Sequence, residues 1–282
     1  ALEAGFDVTV STFDGNPAGV PVDGDMIVFD GLSAIGGASA GTRLTLFAND
    51  DFLALTAINT LGALEITGAN ANMGDGAVSV TMNGVSTGAG EEFQINANGD
   101  ISQAAAFNVG GRFDVNAPGQ NIILPLANNF QGQVDIDGAA ITVNNVGSLV
   151  LGDINATGVL DVDATGSITQ AAGTSINADS TSDFNSTTDQ AITLFNATSN
   201  DFDGAVALDG GAVSIRSIDT LDFGTTIASS LTIDNDGAIT QSAGMAVNTG
   251  GASFVDITTS NDDVSLNGAN NNFIRVDAAI GC

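Results

Sequence analysis

The chain has 282 residues, 43% of them hydrophobic, and a formal net charge of −29 from 33 acidic residues against four basic ones. Those four are Arg43, Arg112, Arg216 and Arg275; Lys, His, Trp and Tyr are absent. Such a balance repels nucleic-acid phosphates and anionic membrane surfaces, and it leaves no imidazole for a Ser-His-Asp triad or a zinc site and no lysine for a phosphate loop or Schiff base.

Residues 1–35 read as an N-terminal cap, because a solenoid end must cover its unpaired backbone groups. The chain starts at Ala1 rather than Met. That start fits a mature product after signal removal or a piece of a longer parent chain. Residues 36–98 read as divergent coils. Asn49-Asp-Asp-Phe52, Leu53-Ala-Leu55 and Leu64-Glu-Ile66 mark coil strands there, and a Gly-rich stretch within 69–92 suggests a looser loop.

From residue 99 the chain repeats itself. Gly99-Asp-Ile-Ser-Gln-Ala, Gly166-Ser-Ile-Thr-Gln-Ala and Gly237-Ala-Ile-Thr-Gln-Ser open three units, near 99, 166 and 237, within a regular region 99–282. A second marker keeps step: Asn128-Asn-Phe130, Asn200-Asp-Phe202 and Asn271-Asn-Phe273. Both markers thus return at nearly constant spacing. A locked period over most of a chain implies stacked units that bury their faces on one another.

Within each unit the apolar pattern has period two in short bursts, such as Val134-Asp-Ile136, Leu160-Asp-Val162, Val213-Ser-Ile215 and Leu231-Thr-Ile233. Alternation puts the apolar side chains on one face and Asp, Thr or Ser on the other. Gly, Asn and Asp separate the bursts and suit tight turns. No long stretch has helical period. The expected fold is all-β: a right-handed parallel β-helix, or three-sided β-solenoid, with short strands and about three coils per ~71-residue repeat.

Phe113, Phe184 and Phe254 form one phased series, and Phe130, Phe202 and Phe273 another. Phenylalanine at fixed phase reads as interior stacking. Asn128, Asn200 and Asn271 precede the second series and are expected at inward corners, bonding backbone amides of the next coil as an Asn ladder.

Catalytic constellations are scarce. Asp135/Asp137, Asp161/Asp163 and Asp234/Asp236 provide carboxylate pairs of the kind glycoside hydrolysis needs. They recur in phase, however, which reads as repeating decoration, and the expectation is no catalytic residue and no enzyme. No cofactor is expected. Structural calcium is the one metal reading, through Asp201/Asp203, Asp234/Asp236 or Asp262/Asp263, since hard oxygen ligands suit it. Cys282 is the single cysteine, so no intrachain disulfide forms.

The run from Gly166 to Ile233, through Ala191-Ile-Thr-Leu194, Asn200-Asp-Phe202 and Leu231-Thr-Ile233, resembles the repeat region of filamentous-haemagglutinin-like and autotransporter-type bacterial adhesins. The resemblance covers residues 99–277 well and 45–98 weakly. It implies a β-helix exported to the bacterial cell surface or beyond, serving as an adhesin stalk or as an extracellular fibre or matrix subunit. Self-association along the coil axis and contact with surface glycans are the partners expected. The alternative reading is a carbohydrate-binding or carbohydrate-cleaving β-helix protein.

Overall fold

The computed structural model describes residues 8–11, 27–28, 40–47, 52–54, 57–68, 80–195, 200–242, 247–259, 263–268, 271 and 275–280. Most of the expected cap, the stretch 69–79, Asp262, Phe273 and Cys282 lie outside them. The backbone of Phe254 lies in the strand Val247–Thr259. Every regular element among the described residues is a β-strand. The strands form where the apolar pattern alternates. Arg43–Phe47 buries Leu44 and Leu46 and turns Thr45 outward. Leu160–Ala164 buries Leu160, Val162 and Ala164 and turns Asp161 and Asp163 outward. A strand places successive side chains on opposite faces, so this pattern makes one apolar and one polar side.

The chain divides into two compact units, residues 1–139 and 140–282. Within the first, three stacks of parallel strands run side by side. One passes through Leu44, Leu64, Phe93, Phe113 and Val134. A second passes through Ile27, Phe52, Val80, Ile101 and Ile122. A third passes through Asn59, Ser86, Asn108 and Asn129. Each step along the first stack is one turn of a three-sided β-solenoid. The turns from Leu44 to Leu64, Phe93 to Phe113 and Phe113 to Val134 are nearly equal in length. The turn from Leu64 to Phe93 is longer and takes up the divergent stretch.

The second unit is built likewise. One stack passes through Leu149, Ile168, Ile192, Val213, Leu231, Val255 and Val276. Another passes through Ile141, Leu160, Ser182, Val206 and Phe223. A third joins Ile154 to Ile176 and Asn177 to Asp201. The interior is apolar, filled by Ile, Leu, Val and Phe with almost no exposure. Burying each such side chain contributes roughly 1.5–3 kcal/mol.

The register refines the repeat. Ile168 stacks on Leu149 and Ile192. Its repeat equivalent Ile239 stacks instead on Leu221 and Val264, a different side of the same unit. Between them the chain makes ten paired segments. They begin with Ile168–Gln170, Ile176–Ala178, Ser182–Ser186, Ile192–Leu194, Asp201–Phe202, Val206–Asp209 and Ala212–Ser217, and end with three consecutive parts of Leu221–Asn235. Ten sides are three turns and a third. The expected three coils per repeat therefore carry one further side, which turns this repeat one third of a revolution from the one before.

Glycine fixes the corners where coils come closest. A Cβ on Gly110 would run into the carbonyl of Gly88, and one on Gly132 into the backbone of Gly111. The obstacle is backbone on both sides, so it has no rotamer to change. Gly110→Ala is expected to lower stability by about 1–3 kcal/mol, the usual cost of overpacking. Gly119→Ala is the comparison. It has open space around its Cβ but sits at φ +75°, so its penalty is the smaller one of a strained turn. Denaturant midpoints for the two variants check the order.

Candidate functional site

Among the buried and half-buried polar groups, one arrangement occurs in all three repeats. Gln103 and Asn128 face each other amide to amide. Gln103 Nε2 donates to Asn128 Oδ1 at 2.8 Å, and Asn128 Nδ2 donates to Gln103 Oε1 at 3.1 Å. Gln170 and Asn200 do the same at 2.7 and 2.9 Å, and Gln241 and Asn271 at 3.0 and 2.9 Å. The glutamine ends the Ile-Thr/Ser-Gln marker and the asparagine opens the Asn-x-Phe marker, so the two sequence markers are physical partners.

The remaining proton of each asparagine, and the remaining lone pair of Asn128 and Asn200, bind backbone. Asn128 Oδ1 accepts from Phe107 N–H at 2.8 Å, and Asn200 Oδ1 accepts from Ile176 N–H at 2.9 Å. Nδ2 donates to the carbonyl of Leu124, Leu194 and Leu266 in the three copies. The loop closed in this way spans four, six and five residues, so one clamp tolerates several loop lengths. Asn128 and Asn200 have no exposure, where an unmade hydrogen bond is costly. From the sequence these asparagines are expected to bond the next coil's amides as a ladder. The structure differs. The backbone donors of Asn128 and Asn200 lie 21 and 24 residues earlier, on the preceding coil, and the side-chain partner is a glutamine. Gln170 and Gln241 end the strands Ile168–Gln170 and Ile239–Gln241, and Gln103 lies within Ile101–Ala105.

The phased phenylalanines flank the clamps. Phe113 and Phe130 stack with ring centroids 4.7 Å apart and planes 8° apart, and Phe184 meets Phe202 edge-on at 6.2 Å. All four are buried. Phe93 and Phe107, which have no place in the phased series, complete a four-ring cluster around Phe113. No period could reveal them, since they occur in a single copy.

Outside, parallel register lines up the acids. In the first unit Glu65, Gln94, Asp114 and Asp135 occupy one outward row. Arg43 reaches Glu65 at 3.3 Å and Glu92 at 2.7 Å. Arg112 reaches Asp135 at 2.7 Å, Asp114 at 2.9 Å and Glu92 at 3.5 Å. Glu92 thus links both guanidinium groups, beside an open hollow of about 340 Å³ lined by Gly41, Ala63 and Gly90 among others. Arg216 pairs with Asp234 at 3.2 Å and Asp236 at 3.9 Å. Two of the three carboxylate pairs singled out in the sequence therefore contribute at least one member to an arginine. Among the described residues no group of three or more acids, Cys or His is placed to hold a metal ion.

The second unit has an acid row for which the described residues show no arginine partner. Asp161 pairs in register with Asp183, and Asp163 with Asn185 and then Asp209. Burial, then the charge of Asp163, raises the carboxyl of Asp161 above the ordinary aspartate value. Burial raises Asp183, with Asp161, Asp163 and Asp209 adding to it. Burial and Asp189 raise Asp209. A raised carboxylate pKa means the folded chain binds protons more readily than the unfolded one. The penalty is fully present above the folded values and absent below the unfolded value of about 3.9. Stability is therefore expected to rise as pH falls through this window, and Asp183→Asn to raise the denaturant midpoint at pH 7 while flattening the pH dependence. Added salt should act in the same direction by screening the row. A midpoint that falls steadily from neutral pH toward that value would contradict the assignment.

A family model described as "Repeats of unknown function (DUF5649)" matches residues 82–137, 138–209 and 210–278. The chain belongs to the DUF5649 repeat family. Each matched segment contains one Gln and one Asn of a clamp: Gln103 with Asn128, Gln170 with Asn200, and Gln241 with Asn271. Each DUF5649 repeat of this chain thus carries its own coil-to-coil fastening. No curated protein and no solved structure matches the chain.

Proposed function

We propose that the chain is a secreted, non-enzymatic β-solenoid that serves as a stalk segment of a bacterial adhesin or as an extracellular fibre subunit. The observation that carries this reading is the recurring clamp. The paired amides of each repeat hold coil to coil, while the outward acids of the described residues recur in rows, and where Glu92, Asp114 and Asp135 gather they are neutralised by Arg112. A scaffold needs that arrangement, whereas a catalytic site needs one place that breaks the repeat. The strongly negative surface suits an exported, self-repelling fibre. Self-association along the coil axis is the partner this reading favours.

Limited proteolysis of intact producing cells, followed by immunoblotting, tests the location. The chain should be shaved from the surface or recovered from the medium, and a chain protected inside intact cells would overturn the reading. Incubation with a panel of polysaccharides tests the enzymatic alternative. Release of new reducing ends would favour a carbohydrate-cleaving protein, for which Asp161 and Asp163, free of any described arginine pair, are the carboxylates to substitute first.

A further inference from the structure

We propose that the Gln–Asn clamps are mechanical stops. When the chain is pulled from its ends, coils peel one by one and pause at each clamp, so extension proceeds in repeat-sized steps.

The geometry carries this. An ordinary coil leaves the stack by breaking its ladder hydrogen bonds and apolar contacts in succession. A clamped coil must also break a cyclic amide pair, together with the bonds from the same asparagine to backbone, which number two at Asn128 and Asn200. For Asn200 these are the amide pair with Gln170, the acceptor bond from Ile176 N–H one coil below, and the donor bond to the Leu194 carbonyl. They yield together because one side chain makes them all. The nearby phenylalanine pair, Phe184 with Phe202, is separated at the same event. Asn235 is the contrast. Its Nδ2 bonds the carbonyls of Gly237 and Ala238, two and three residues on, and so ties down its own corner.

The stops lie at Asn128, Asn200 and Asn271, one in each repeat. At roughly 3.3–3.6 Å per extended residue, each interval between stops frees about 235–260 Å of chain, whereas a single coil such as Ile101 to Ile122 frees about 70–75 Å. The inference rests on the stalk reading for its biological meaning, since a stalk bears tension; the step size itself does not depend on where the protein resides.

Single-molecule stretching of the full chain between end-attached handles tests it. The expected record has pauses separated by repeat-sized increments. Gln170→Leu should remove the pause at Asn200 and merge its two neighbouring intervals into one of about double length. The pauses at Asn128 and Asn271 should persist and report that the variant is folded. Coil-sized steps throughout in the unaltered chain would overturn the proposal, as would an unchanged pause at Asn200 in Gln170→Leu. Failure of the surface-shaving experiment would leave these increments untouched, so the two readings fail separately.

Discussion

Replacing Asn200 by Ala should lower the free energy of unfolding by about 3–5 kcal/mol, since each buried polar group so orphaned costs about 1–3 kcal/mol, less where water enters or the loop relaxes. The residue has no exposure, and its amide satisfies Gln170, the N–H of Ile176 and the carbonyl of Leu194. Alanine leaves those groups inside the solenoid without this partner. The proper control is Asn185→Ala. Asn185 lies on the outward face between Asp163 and Asp209, where substitutions usually stay within about 0.5 kcal/mol. Urea unfolding followed by far-ultraviolet circular dichroism measures both, as the chain has neither Trp nor Tyr to report by fluorescence. A loss at Asn200 no larger than that at Asn185 would mean the clamp is incidental to stability.

Phe113→Ala should cost a similar amount, about 3–5 kcal/mol, by a different route. Phe113 has no exposure and contacts three other rings, with centroids at 4.7 Å to Phe130, 5.4 Å to Phe93 and 6.3 Å to Phe107. Removing it opens a cavity that parallel strands locked on both sides cannot close. Phe184 meets only Phe202 among the ring pairs of the described residues. Phe184→Ala should therefore fall at the lower end of that range. A double-mutant cycle between Phe113 and Phe130 should give a coupling of about 0.5–1.5 kcal/mol, the usual value for an aromatic pair. Equal losses at Phe113 and Phe184, with no coupling in the cycle, would show that the cluster adds nothing beyond burial.

The fold was largely legible because two independent signals agreed. Period-two bursts such as Leu160-Asp-Val162 determined which side chains face inward, and the regular recurrence of the Gln and Asn markers implied stacked units. The partnership of those markers was not legible. Gln170 and Asn200 are 30 residues apart, more than one coil, and nothing in a linear period says that they meet. The number of sides per repeat was hidden for a related reason. Coils lengthen along one stack, from the turn joining Ile141 to Leu160, through Leu160 to Ser182, to Ser182 to Val206. Dividing the period by an average coil therefore cannot separate three turns from three and a third. The glycine contacts at Gly110 and Gly132 escaped notice because backbone proximity leaves no compositional mark beyond a residue that abounds everywhere. The acid rows were visible as phased Asp, yet which of them an arginine answers depended on register.

The extra side between Ile168 and Ile239 has an evolutionary consequence. If every copy contained a whole number of turns, duplication would lengthen one stripe, and each new copy would inherit the neighbours of the old. With a third of a turn added, as from Ile168 to Ile239, the duplicated outer residues emerge on a side their ancestors never occupied. Selection can then alter them without disturbing a row already in place, while the paired Gln and Asn keep the same partnership in every copy. Growth by tandem duplication thus diversifies the surface and preserves the core in a single step.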